Sequence, residues 1–318
     1  MKLLRYISIF CIFAGFIAWG LLVRQINAQG PLTEAVTVDI AKGSSSQKVA
    51  EILYNEGVIN SPFLFRVLMK CKQADGHLKA GEYLFEKHIS MKQVFDKILQ
   101  GDVLYHKVTI PEGYTVGQTM YLLSTNDYLS GEFEKMPQEG TLLPETYTFQ
   151  KGEPRLVIIK KAMSAMNEKL DDIWNARAEG LPYRSKTDLL IMASIIEKET
   201  AVNDERAKVA SVFVNRLRKG MLLQTDPTVI YAITEGKEEL NRALTRKDLQ
   251  IDNPYNTYRY AGLPPTPICN PGEASLWAAA HPETTDFIYF VADGTGGHNF
   301  AKTLAEHNRN VANWKKNR

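Results

Sequence analysis

The first 30 residues carry the most lopsided hydrophobic pattern in the chain. From Tyr6 to Val23 there are 18 consecutive residues without a charge. At about 1.5 Å per helical residue they span nearly the ~30 Å hydrocarbon core of a bilayer. Lys2 and Arg5 precede the run, Arg24 follows it, and Trp19 stands near its far end, where an indole favours a membrane interface. The pattern predicts a signal anchor with a cytoplasmic N-terminus. A cleaved signal peptide ending near Ile26-Asn27-Ala28 fits less well, because a large residue stands where a small one is wanted. A buried core helix fits least, since the run is apolar on every face.

Beyond a linker at residues 29–33 the pattern changes to short periods. Val36–Ile40 alternates like a strand, and Lys42–Ser46 reads as a turn whose Ser46 caps a helix through Val49, Ile52 and Leu53, stopped by Gly57. Ser61-Pro62 opens a second helix bearing Phe63, Phe65, Val67 and Leu68. Gly81–Phe85 reads as a strand, and Met91–Leu99 as a helix closed by Gly101. This β-α-α-β-α string is long enough for a small module. Its size and order resemble LysM-type glycan-binding modules, and a plain docking or spacer domain fits equally well. A strand over Val103–Ile110, a turn through Pro111-Glu112-Gly113, a strand-like Leu143–Phe149 and a long amphipathic helix from Glu153 to Ala178 follow, the last ended by Gly180. The basic end, Asn313 to Arg318, reads as a solvated helix terminus.

Composition narrows the class. The 318 residues are 44% hydrophobic and 23% charged, with 38 Lys plus Arg against 36 Asp plus Glu. Disordered, collagenous and disulfide-scaffold chains are excluded. The near-neutral balance argues against a nucleic-acid partner. At roughly 150 residues per domain the length implies about two domains. Cys11 lies in the apolar run, and Cys71 and Cys269 read as buried free thiols, with pairing between them a lesser option.

Candidate chemistry concentrates after residue 185. Ser185–Thr200 reads SKTDLLIMASIIEKET, with Ser185 and Asp188 resembling a capping box and Leu189, Met192, Ala193 and Ile196 on one face. A helix this apolar is buried, and it ends abruptly at Glu197. A carboxyl at that boundary is expected to hold its proton more tightly through desolvation, as a general acid must. Glu199 lies about 200° further round and is expected to be wetter. The alternative is that both are an ordinary helix end.

The next helix, Asp204–Arg218, buries Val209, Val212, Phe213 and Leu217 and carries Asn215 and Arg216 near its C-terminus. These two could favour the macrodipole, or hold a carboxylate or sugar substituent. Asp226 reads as an N-cap and Pro227 as the first helical residue, which leaves Gln224 unexplained. Tyr255, Asn256 and Tyr258 precede a proline-rich stretch, Gly262–Gly272, rigid enough to shape a site; the rings and amide suit sugar faces and hydroxyls, and a pure packing role for the tyrosines fits equally well. Tyr289–Val291 and the segment holding Phe300 read as a hairpin. His281, His298 and His307 are candidate metal ligands by type, but their spacing matches no familiar zinc pattern.

Taken in order, ASIIEKET (193–200), VASVFVNRL (209–217), LQTDPTVIYA (223–232), YNTY (255–258), GLPPTPI (262–268), AAAHP (278–282) and YFVADGTGGHNF (289–300) resemble the endolytic murein transglycosylases, the YceG-like family also called MltG. The likeness is densest from Leu142 to Asn308. It implies an α+β chain: an N-terminal transmembrane anchor (1–30), a LysM-like module (31–102) and a catalytic domain (103–318) outside the cytoplasm. It implies a lyase without cofactor or metal that cuts nascent peptidoglycan between N-acetylmuramic acid and N-acetylglucosamine, leaving a 1,6-anhydro end. The family's single catalytic glutamate falls on Glu197, with Glu199 the fallback. Asn215, Arg216, Gln224, Asp226, Tyr255, Asn256 and Tyr258 become groove residues. The resemblance also implies an inner-membrane location through residues 6–23, termination of glycan elongation and cell-wall synthases as partners. A hydrolytic glycosidase on the same polymer and a non-catalytic wall-binding scaffold are the alternatives.

Overall fold

The computed structural model describes residues 2–74, 76–133 and 135–316. Asn317 and Arg318, the tip of the basic end, and Met1 lie outside the described residues. The chain packs as two compact units, Met1–His106 with Phe149–Lys151, and Lys107–Thr148 with Gly152–Arg318.

The first unit begins with helix α1 (Lys2–Asn27). Its charge-free run is exposed, with Phe10 and Phe16 each 72% accessible, so the buried-core reading is overturned. By length and composition α1 can cross a membrane. At its far end Ile26 is buried and Leu22 packs against the module core. There β1 (Val36–Ile40) pairs antiparallel with β2 (Gly81–Phe85), with Val36 opposite Phe85 and Ile40 opposite Gly81. The ribbon turns Val38, Ile40, Tyr83 and Phe85 inward against α2 (Ser46–Asn55), α3 (Pro62–Cys71) and α4 (Met91–Gln100). The caps explain the boundaries. Ser61 accepts from the Leu64 N–H, and Ser90 with Gln93 closes a reciprocal capping box. At α2 the cap is Ser45 rather than Ser46, because Ser45 accepts from the Lys48 N–H. Cys71 is exposed, contrary to expectation, whereas Cys269 is buried; both are free thiols.

The second unit contains α5 (Val116–Ser124) and α6 (Arg155–Ala176). Strand β3 (Tyr105–Thr109) precedes α5 and pairs with β4 (Thr146–Gln150), which lies between α5 and α6 in sequence. The core is built round α7 (Lys186–Glu199), in which every residue from Asp188 to Ile196 is buried. Ser185 caps it by accepting from the Asp188 N–H, but the return bond of a capping box is displaced: Asp188 accepts from the N–H of Arg184 instead. Helices α6, α8 (Arg206–Arg218), α9 (Asp226–Thr234) and α10 (Glu273–Ala280) pack round α7. Thr225, not Asp226, is the residue flanking α9, and Pro227 falls at its second position. The predicted hairpin forms from β5 (Tyr289–Ala292) and β6 (His298–Ala301), with Phe290 opposite Phe300, and α11 (Leu304–Lys316) follows.

The proline-rich stretch has no helix or strand from Ile251 to Gly272. It is fixed by buried polar anchors. Ser194, in the middle of α7, accepts from the Ile268 N–H at 3.1 Å and donates to the Ile191 carbonyl. Asn270 is fully buried. Its carbonyl oxygen accepts from the Leu142 N–H at 3.0 Å, and its amide donates to the Tyr114 carbonyl at 2.9 Å. One side chain therefore ties three loops together. Asn270→Ala leaves the Leu142 N–H unpaired in the interior, while the Tyr114 carbonyl keeps the backbone N–H of residue 270; it is expected to cost about 1 to 3 kcal/mol, read as a lower urea midpoint, and an unchanged midpoint would show that the loops are held elsewhere.

Candidate active site

Glu197 occupies the last turn of α7, where the buried stripe of the helix delivers it to the end of the proline-rich loop. Its side chain is only 6% exposed. Oε2 accepts a hydrogen bond from the Gly272 N–H at 2.9 Å. Oε1 lies 3.6 Å from Nη2 of Arg206, the first residue of α8. Arg206 is itself buried and aimed by its neighbours: Nε donates to Ser275 Oγ at 3.1 Å, and Nη1 donates to Asn203. A cation in the first turn of a helix opposes the macrodipole, so its position is costly for α8 and is offset by the facing carboxylate.

Glu112, from the Pro111-Glu112-Gly113 turn, stands on the other side of Gly272. A Cβ on residue 272 would sit 1.9 Å from Glu112 Oε1, so a larger residue there would push the Glu112 side chain aside. Gly113 (φ +74) brings the turn over α7, and Lys198 Nζ donates to its carbonyl at 3.4 Å. Burial, and then the charge of Glu197, raise the proton affinity of Glu112, with Arg206 opposing. Glu112, Glu197, Arg206 and Asn203 share an open pocket of about 510 Å³. It is an arrangement for moving a proton: a carboxyl oriented by one backbone donor and faced by one fixed cation, with a second carboxyl alongside.

Glu199 is not the wetter of the pair. The loop before α9 folds over it, and Thr225 Oγ1 donates to its carboxyl. Burial, helped by the nearby Asp226 charge, pushes its pKa up to about 7 against the pull of Thr225, His298 and Arg216. Of the residues singled out in the sequence, Arg216, Asp226 and Tyr258 meet here. Tyr258 donates its hydroxyl to Asp226 Oδ1 at 2.6 Å, and its own pKa is pushed up by burial and that carboxylate. Arg216 is used structurally, donating to the carbonyls of Ile288 (2.7 Å) and Leu223 (2.8 Å).

Other expected groove residues are placed apart from the pocket. Asn215 spends its amide donors on the Thr285 and Phe287 carbonyls. Asn256, fully buried, donates to Leu249 and Ile251 and accepts from the Tyr258 N–H. The Tyr255 hydroxyl is 2.6 Å from Thr266 Oγ1, and its ring packs on Tyr231. Gln224 is exposed, with φ at 49°, a conformation costly for a residue other than glycine. The three histidines have separate neighbours: His281 contacts the Trp277 and Ala176 carbonyls, His298 pairs with Glu205, and His307 stacks on Tyr289. No group of three metal-ligating side chains gathers among the described residues.

The sequence reading missed Glu112 and Arg206. A carboxylate in a Pro-Glu-Gly turn and an arginine at a helix N-terminus were the available signals, since loops carry function and the arginine violates dipole preference.

A helical carboxyl site over an irregular, proline-fixed loop sets this α+β chain apart from folds with sheet-borne sites. The sequence model of the YceG-like family matches residues 38–313, and the chain belongs to that family. It is 36% identical over 306 residues to the endolytic murein transglycosylase of Bacillus subtilis, covering 86% of this chain and 83% of that protein. It is 29% identical to the protein of the same name from Streptococcus pneumoniae D39, over 87% of this chain but only 58% of that longer protein. A YceG-like protein of Listeria monocytogenes, known from a 2.6 Å crystal structure, shares 36% identity and a TM-score of 0.55, covering 87% of this chain and 98% of that one.

The buried Glu199 sets a stability test. Its native pKa, about 7, exceeds the ordinary glutamate value of 4.5. The native state therefore holds the extra proton between those values, and its stability falls as pH rises through the native pKa. Glu199→Gln is insensitive to that loss. Its melting temperature relative to wild type should climb from about pH 5 to about pH 8, by the equivalent of up to about 3 kcal/mol; parallel curves would contradict the burial.

Proposed function

We propose that the chain is a membrane-anchored endolytic murein transglycosylase with Glu197 as its single acid–base group. The observation that carries this reading is the enclosed Glu197 carboxyl, fixed by the Gly272 N–H and faced by Arg206 at the open pocket. The names and extent of the relatives support the substrate: peptidoglycan glycan strands.

Protonated Glu197 gives its proton to the glycosidic oxygen as the bond to muramic C1 breaks, releasing the glucosamine hydroxyl. The resulting carboxylate then takes the proton of the muramic C6 hydroxyl, whose oxygen closes on C1. One bond breaks, one forms, the proton returns to Glu197, and no water is consumed. Gly272 orients the carboxyl and Arg206 steadies the carboxylate between the two transfers. The reaction requires no cofactor. Glu199 lines the same pocket, but its carboxyl is already engaged by the Thr225 hydroxyl, which favours Glu197 as the reacting group.

Residues 1–30 serve as anchor and linker, 31–102 as a LysM-like module suited to glycan docking, and 103–318 as the catalytic domain. In this reading the anchor holds the enzyme in the inner membrane with its N-terminus cytoplasmic. There it cuts strands as they emerge from the synthases and terminates their growth.

Glu112 favours one competing reading. A second carboxyl beside the first is the equipment of a hydrolase, which adds water across the same bond. Both readings require Glu197. Glu197→Gln keeps the shape but cannot transfer the proton, and cleavage of purified peptidoglycan should fall at least about 100-fold without loss of fold, while chelators leave the wild-type rate unchanged. A Gln variant of normal rate would remove Glu197 from the reaction.

A further inference from the structure

The apolar run of α1 does not end in a loose linker. Val23, its last residue, is three positions from Ile26, which is 5% exposed within the module core. At about 1.5 Å per residue, the module begins roughly one helical turn from the end of the apolar run. Beside this junction is a cavity of about 340 Å³. One wall is α1 itself, through Trp19 and Leu22; the other is Val67 and Leu68 of α3 and Phe95 of α4, with Lys72 among its lining residues. Lys92 is paired with Asp96 at 2.5 Å.

Two independent features specify the occupant. The first is continuity: a hydrocarbon chain reaching the cavity along α1 stays against apolar surface from the bilayer to Phe95, whereas a water-borne ligand gains no such path. The second is charge. From Pro62 to Lys72 the sequence contains Arg66, Lys70 and Lys72 and no acidic residue, while Phe63 is 71% exposed. A basic, amphipathic helix with an exposed aromatic fits the surface of an anionic leaflet.

We propose that the cavity between α1, α3 and α4 seats one acyl chain of an anionic phospholipid, whose phosphate rests against Lys72. The seat rests on the membrane-anchor reading and adds to it a specific lipid that fixes the module against the bilayer. Cys71, which also lines the cavity, lies next to the phosphate position.

The test uses the full chain in nanodiscs of phosphatidylcholine with about one part in five phosphatidylglycerol, ejected for native mass spectrometry. Wild type should retain one phosphatidylglycerol in preference to the more abundant phosphatidylcholine. Lys72→Glu should lower the phosphatidylglycerol-bound fraction at least about fivefold. Val67→Trp, which fills the cavity, should lower retention of both lipids, with peptidoglycan cleavage and circular dichroism unchanged in both variants. Retention in simple proportion to bilayer composition, equal in all three proteins, would overturn the seat while leaving the anchor intact. A chain that does not enter nanodiscs at all would overturn both.

Discussion

The hydrogen bond from the Gly272 N–H to Glu197 Oε2 is the contact on which the site depends. Neither partner can hold its place alone. Glu197 is positioned because nine consecutive residues of α7 are buried, so the last turn of the helix cannot swing away. Gly272 is positioned because the stretch before it, with no regular hydrogen bonding of its own, is pinned by Ser194 and Asn270. Ser194 is three residues before Glu197 on the same helix. The helix that carries the carboxyl therefore also holds the loop that orients it.

The electrostatics follow from that frame. Two carboxyls, Glu112 and Glu197, are separated by Gly272, where a side chain would displace Glu112, and a single buried guanidinium faces them. Burial makes a lone charge costly, so Arg206 and a carboxylate are each more tolerable in the other's presence. The Glu199 carboxyl, two residues on, faces the α9 approach and forms a separate network with Thr225. Both glutamates of the motif line the pocket, Glu197 held by the Gly272 N–H and Glu199 by the Thr225 hydroxyl.

Much of the frame was legible in the sequence because it is local. The helix α4 with its closing Gly101 and the β5–β6 hairpin rest on residues within a few positions of one another, and each formed as the pattern implied. The apolar density of α7 also announced its burial. What could not be read was tertiary. Glu112 joins the site from 85 positions away in the chain, which no spacing rule reaches. Glu199 looked exposed on a helical wheel because a wheel does not show the loop before α9 closing over it. Asn215 and Asn256 have the chemistry of sugar-binding amides, but buried backbone carbonyls compete for the same donors and have taken them.

The claim that Glu197 serves both proton transfers without water is tested most directly by running the cleavage in heavy-oxygen water and weighing the new muramic end. The account predicts an anhydro product with no heavy oxygen. One heavy oxygen at muramic C1, on a product heavier by one water, would contradict it and make Glu112 the partner of a hydrolase.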